Sequence, residues 1–207
     1  MPCLIVSRNT HVPETPSPTI QKLPLYSWQA RASKPSLFYI TDHKVANAQL
    51  ARLPQGPLGF DLEWRPNFYK GMRENPVAVV QLASSDTVIL LQISAMSEFP
   101  AKLKELLSSS SWLKAGVSIQ KDCEKLYNDH KVSVCNCVEL SLLARTVDNA
   151  RWKGKYTAPL GLARLLETYE RATLAKGKVQ RSNWELPLSQ PQQQCKSNSS
   201  ILVFAST

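Results

Sequence analysis

The stretch Leu58-Gly59-Phe60-Asp61-Leu62-Glu63-Trp64 places two carboxylates two residues apart in a run that is otherwise free of polar side chains. Leu58, Phe60, Leu62 and Trp64 favour extended backbone, so the run reads as a buried β-strand. Strand side chains alternate between faces, which puts Asp61 and Glu63 on the same one. Two like charges side by side on a central strand are costly unless a cation neutralises them. A divalent ion with oxygen ligands, Mg²⁺ or Mn²⁺, meets that requirement. An edge strand whose acidic face is simply solvated meets it as well, and so short a motif leaves both readings open.

Length and charge narrow the rest. The 207 residues, 43% hydrophobic, suffice for one domain of ordinary size and a tail. A formal charge of +9 fits a polyanionic partner, nucleic acid before an anionic membrane, with solubility charge as the plain alternative. The excess is concentrated. Residues 151–181 hold Arg151, Lys153, Lys155, Arg164, Arg171, Lys176, Lys178 and Arg181 against Glu167 and Glu170, a local charge of +6. Trp152, Tyr156 and Trp184 lie in or just after this tract. Basic groups neutralise phosphates and rings stack on unpaired bases. A solvated helix face with the aromatics filling a core is the other reading.

The five cysteines, Cys3, Cys123, Cys135, Cys137 and Cys195, fit no disulfide or zinc pattern, and reduced thiols in an intracellular protein are expected. No apolar run approaches about 18 residues, so neither a transmembrane helix nor a membrane partner is expected. The N-terminus lacks a secretory pattern, while its few basic residues leave a transit peptide open.

Three segments are expected: a proline-rich flexible leader over 1–35, one α/β domain over 36–194, and a divergent tail over 195–207. Leu37–Ile40 reads as a strand, followed by a helix to about Arg52 capped by Thr41 or Asp42. The Asp61/Glu63 strand, Pro76–Ala83 and Thr87–Ile93 form an antiparallel meander with the first strand central. Phe99, Leu103, Leu106 and Leu107 mark a helix with Ser97 as N-cap. A strand over Trp112–Ile119, a helix from about Gln120, a short strand near Val132–Val138 and a helix over Glu139–Arg145 continue the alternation. Leu162, Leu165, Leu166 and Tyr169 mark another helix, with Thr157 capping and Pro159 in its first turn.

Asp122 falls at a strand-to-helix junction, where a side chain can lean over the sheet edge; on its own it reads as an acid complementing a helix dipole. Taken together, Phe60-Asp61-x-Glu63-Trp64 and Lys114-Ala115-Gly116-Val117-x-Ile119-x-x-Asp122-x-x-x-Leu126, with Gln81-Leu82, Phe99-Pro100, Val138-Glu139-Leu140 and Ser182-Asn183-Trp184, resemble the DnaQ-like (DEDD) 3′–5′ exonucleases. The branch it resembles is that of the Werner-syndrome exonuclease domain, and the resemblance runs over roughly residues 37–190. It implies an RNase H-like fold, a mixed sheet in which an antiparallel three-strand meander joins parallel strands, flanked by helices. It also implies two Mg²⁺ or Mn²⁺ ions about 3.5–4 Å apart, one activating a water and the other stabilising the leaving 3′ oxygen. Asp61 would bridge the ions, Glu63 would hold the one beside the nucleophile, and Asp122 would hold the other. Trp64 and Arg65 would lie near the terminal nucleotide, and Lys153, Lys155 and Arg181 along the backbone. The implied partner is nucleic acid, DNA ahead of RNA, and the implied location nuclear, with a mitochondrial one left open.

The chain departs from this pattern at its end. Members of the branch carry Tyr-Ala-Ala-x-Asp-Ala-Tyr on a helix after the Ser-x-Trp segment, and this motif supplies a tyrosine and a fourth carboxylate. Here Cys195 stands at the tyrosine and Ser199 at the aspartate, and no Asp or Glu follows Glu185. An altered reading frame, a retained intron or an alternative transcript would each produce such a switch. The expected consequences are a truncated last helix, one uncovered sheet face and weaker metal binding. Three functions therefore stand: a metal-dependent 3′–5′ exonuclease, a nucleic-acid-binding protein of the same fold that no longer cuts, and a truncated product with no function of its own.

Overall fold

The computed structural model describes residues 22–30, 34–69, 71–156, 158, 160–175 and 177–200. Its centre is a six-stranded sheet: β1 (Ser36–Ile40), β2 (Leu58–Trp64), β3 (Val77–Ala83), β4 (Thr87–Leu91), β5 (Lys114–Gly116) and β6 (Cys137–Glu139). The spatial order is β1-β4-β3-β2-β5-β6. β2, β3 and β4 form the antiparallel meander, while β1 lies parallel to β4, β5 to β2 and β6 to β5. Short turns suffice for antiparallel neighbours, whereas parallel ones need longer connections; α3 makes the crossover from β5 to β6. The mixed α/β sheet expected from the sequence is the sheet observed, and β2 is central.

The two faces carry different cores. Against the first, Leu58, Phe60 and Leu62 of β2 pack with residues of α1 (His43–Leu50), α2 (Ala101–Ser108) and α3 (Ile119–His130), among them Leu50, Leu103 and Leu126. Against the second, Val79, Ala83, Val88 and Leu90 pack with Trp28, Trp184 and Leu188. α4 (Leu140–Val147) and α5 (Leu162–Tyr169) form a smaller cluster with Trp152 beyond β5. No helix among the described residues is long and apolar enough to cross a membrane.

Local departures have local causes. Asp42 caps α1, accepting from the N–H groups of Lys44 and Val45 at 2.9 Å each. α2 starts at Ala101, not near Ser97, because Pro100 stands at the N-cap in extended conformation. β5 ends at Gly116 because Ser118, at φ 61°, turns the chain left-handed straight into α3. Thr157 and Pro159, expected at the start of α5, lie outside the described residues, and Gly161 is the N-cap. The end of the expected leader belongs to the domain: Tyr26 and Pro24 bond Thr173, and Trp28 is buried against β3 and β4. Ordering this stretch is offset by burying a large aromatic ring.

The uncovered face is not observed. A last helix, α6 (Gln190–Ser200), forms and lies over β2, β3 and β4. Its start is a capping box. Gln192 Oε1 accepts from the backbone N–H of Ser189 at 3.0 Å and from its hydroxyl at 2.8 Å, while Ser189 carbonyl receives Gln193 N–H. Ile201–Phe204 lie outside the described residues.

Candidate active site

β2 sets the geometry. Asp61 stands opposite Gln81, and Glu63 opposite Val79, so both acids face the side of the sheet that α6 covers. Gln81 Nε2 donates to Asp61 Oδ2 at 3.4 Å. A bulge between Glu63 and Trp64 shifts the register at the strand end. Trp64 is half-buried against the first core cluster, with Lys125 Nζ 5.1 Å from its ring centroid. It thus helps to seat α3 on the sheet.

Asp122 arrives from the neighbouring strand. β5 runs parallel to β2, with Leu58 opposite Lys114 and Gly59 opposite Ala115, and then turns at Ser118 into α3. Asp122 is in the first turn of that helix and is 8% exposed. A helix N-terminus favours the carboxylate form, but burial dominates here, and Asp61 and Glu139 add repulsion; together they push the carboxyl up to about 8. Glu139 fixes the junction. Its carboxylate accepts from Ile119 N–H at 3.0 Å, and from Ser141 N–H at 3.2 Å and Ser141 hydroxyl at 2.8 Å, so one side chain caps both α3 and α4.

A fourth residue completes the site, and sequence reasoning passed it over. The ammonium of Lys196, on α6, pairs with Glu63 Oε1 and lies 3.5 Å from Asp61 Oδ2. It is also 5.4 Å from the centroid of Trp184, and the residue is only 7% exposed. The available signal was Ser189-x-x-Gln192, which starts a helix and carries Lys196 onto the sheet. Cys195 is nearby as well, its thiol pushed up by burial and then by Asp61. Ser199 falls in the last turn of α6, and its side chain lies outside the described residues.

Asp61 and Glu63 offer the hard oxygen donors that suit Mg²⁺ or Mn²⁺. Among the described residues, however, no three His, Cys, Asp or Glu side chains are grouped to hold a metal ion. The carboxylate pair fits a divalent cation by donor type; as the chain stands, the charge that neutralises it is the Lys196 ammonium.

Of the basic residues singled out, Arg65 and Arg181 come together. They line one open cavity of about 250 Å³ with Asn67, Phe68, Tyr69 and Asn183, and Arg65 pairs with Glu185 at 3.5 Å. Lys153 and Lys155 sit exposed in the α4–α5 connection, anchored through Trp152, whose carbonyl accepts from Arg145 at 2.9 Å. The two tryptophans near the tract fill cores: Trp152 is buried and donates to Tyr169 hydroxyl at 2.8 Å, and Trp184 is wholly buried. Tyr156 remains exposed.

A sequence model of the 3′–5′ exonuclease family matches residues 38–199. A 3′–5′ exonuclease of Arabidopsis thaliana is 34% identical over 141 residues, 66% of this chain and 46% of that protein. The bifunctional 3′–5′ exonuclease/ATP-dependent helicase WRN of Mus musculus is 39% identical over 145 residues, 68% of this chain and 10% of that protein. The chain thus spans less than half the length of both relatives. In three dimensions it is similar to the Nibbler EXO domain of Aedes aegypti, with a TM-score of 0.69 at 20% identity over 87% of this chain and 88% of that one. It is also similar to the exoribonuclease RNase D of Escherichia coli, with a TM-score of 0.63 at 19% identity over 81% and 42%. At such identities these two likenesses speak for the fold.

Proposed function

The chain belongs to the 3′–5′ exonuclease family, and from that premise we propose that it engages the 3′ end of a nucleic acid at the α6-covered face of β2, with Asp61, Glu63 and Asp122 as the catalytic carboxylates. The observation that carries this reading is that β2 presents Asp61 and Glu63 on one face while the turn from the adjacent β5 into α3 brings in Asp122, where the Asp61 charge adds to burial in raising its carboxyl. The Asp61–Glu63 pair requires positive charge, and Mg²⁺ or Mn²⁺, two ions in the full complement once Asp122 joins the pair, would provide it. When bound, the ions supply Lewis-acid activation of the attacking water and charge neutralisation at the leaving 3′ oxygen.

The chain's own residues do the positioning. Glu139 holds the first turn of α3, and so Asp122, in place. The cavity beside Arg65 and Arg181 is the proposed seat of the terminal nucleotide, its two guanidinium groups facing phosphate and Phe68 or Tyr69 offering a ring to the base. Trp64, next to Arg65 in the chain, is anchored against the core. Exposed Lys153 and Lys155 extend the basic surface along the backbone. DNA and RNA present the same phosphates, and both belong in the test.

A 5′-labelled strand with a recessed or single-stranded 3′ end, as DNA and as RNA, tests the reading in Mg²⁺ and in Mn²⁺ beside Asp61→Asn. Shortening from the 3′ end that the variant lacks is the expected result. Equal shortening by both proteins would overturn it. A second reading, binding without cleavage, is favoured by the Lys196 contact; it predicts that the folded chain retains the strand without shortening it.

A further inference from the structure

Lys196 stands out because it brings a fixed positive charge to the two carboxylates that the proposed reaction needs for metal. Its ammonium engages Glu63 Oε1 and is 3.5 Å from Asp61 Oδ2, the oxygen that also receives Gln81 Nε2. Trp184, itself fully buried, supplies an aromatic face 5.4 Å away. The residue is 7% exposed and is held there by a helix with its own capping box. The Lys196 and Glu63 side chains are 9% and 14% exposed, so their contact is screened less than a surface pair, while Asp61, 35% exposed, is the wetter partner.

We propose that Lys196 is a tethered counter-cation of the Asp61–Glu63 pair, and that a divalent ion binds this pair only by displacing it. The inference rests on the functional reading above and deepens it: access of metal to the site is set by the position of α6. The competition is electrostatic. The pair carries two negative charges, and a bound ammonium leaves one. Displacing it also leaves a lysine without these partners beneath α6, which adds to the cost of metal entry. No Asp or Glu follows Glu185, so the segment that forms α6 brings a lysine and no carboxylate.

The test compares Mn²⁺ binding by the full 207-residue chain and by Lys196→Met, using calorimetry and the loss of free Mn²⁺ signal in electron paramagnetic resonance. Lys196→Met is expected to bind Mn²⁺ at least tenfold more tightly and to gain more melting temperature on adding Mn²⁺. Equal affinity in the two proteins would overturn the proposal. Where Lys196→Met does not fold, Lys196→Gln, one atom shorter, keeps a hydrogen-bond donor while removing the charge, and the same tenfold criterion applies. Lys196→Arg, which keeps the charge, is expected to stay within threefold of the parent chain; an Arg variant as tight as Met would also overturn it. The outcome is separable from the exonuclease reading. A variant that gains Mn²⁺ affinity yet shortens no strand sustains the counter-cation and refutes the catalytic assignment.

Discussion

A Cβ on Gly116 would stand 2.7 Å from the backbone oxygen of Phe60. β5 and β2 approach this closely at the point where β5 ends and the chain turns toward Asp122, and the obstacle is backbone, which cannot swing aside. Gly116→Ala is expected to lower stability by about 2–3 kcal/mol, the upper part of the range for forced overpacking. It would also shift the first turn of α3 and so weaken any activity that needs Asp122. Urea denaturation measures the first effect; a midpoint equal to that of the parent chain would show that the strands can part freely.

Glu139 joins two helix starts through one carboxylate. Glu139→Ala strips the acceptor from Ile119 and Ser141 together, at an expected cost of roughly 1–3 kcal/mol. Glu139→Gln retains one acceptor oxygen and is expected to cost less than half of that. Denaturant midpoints for both variants check the order.

Lys125 and Asp129 form a nearly buried ion pair at 2.5 Å, with side chains 10% and 6% exposed. Asp129 also accepts from Val77 N–H at 3.0 Å, and Lys125 donates to the Asn75 carbonyl at 2.8 Å. The pair therefore ties α3 to the start of β3. Asp129→Ala leaves a nearly buried lysine with only the exposed Glu74 carboxylate 4.0 Å away, and a loss of about 3 kcal/mol, the lower end for breaking a buried pair, follows. Thermal melting would register this as a large downward shift, whereas a change within error would mean that Lys125 finds water.

Arg65 and Arg181 line the same cavity. If each contacts one phosphate, Arg65→Ala with Arg181→Ala should flatten the slope of log affinity against log salt by about 1.4–1.8, as neutralised phosphates release fewer counterions. Fluorescence anisotropy on a labelled oligonucleotide across salt concentrations reads this slope directly. An unchanged slope would remove the pair from the binding surface.

Cys123 and Cys137 place their sulfurs 3.5 Å apart. The hydrogen bond from Cys123 holds the exposed Cys137 thiol down to about 7, while the same contact pushes Cys123 up. Cys137 should therefore alkylate severalfold faster at pH 7 than Cys135, which is exposed without this partner. In Cys123→Ala most of that advantage should be lost, the Lys114 charge sustaining the remainder. Mass spectrometry after brief iodoacetamide treatment would show equal labelling if the hydrogen bond has no such effect.

The elements legible in the sequence are those set within a few residues. Alternation along Leu58–Trp64 places Asp61 and Glu63 on one face whatever surrounds the strand. Asp42 caps α1 through its neighbours' N–H groups, and the apolar runs around Ser84–Asp86 give the meander. The helix at the end was equally readable from Ser189-x-x-Gln192, though the change of composition after it suggested otherwise. The aromatics of the basic tract were less so: period and charge do not say whether Trp152 and Trp184 stack on a ligand or fill a core.

The sequence by itself determined the strand order of the meander, the shared face of the two acids and the family resemblance, because parity, capping and motif spacing act over short stretches of chain. Only the tertiary structure decided what neutralises those acids. Lys196 and Asp61 are 135 residues apart, and their meeting depends on how α6 docks across three strands. The seating of Trp28 and the need for Gly116 likewise come from chain segments that approach one another only when folded. Burial and charge pairing are properties of that assembled surface, and no local pattern encodes them.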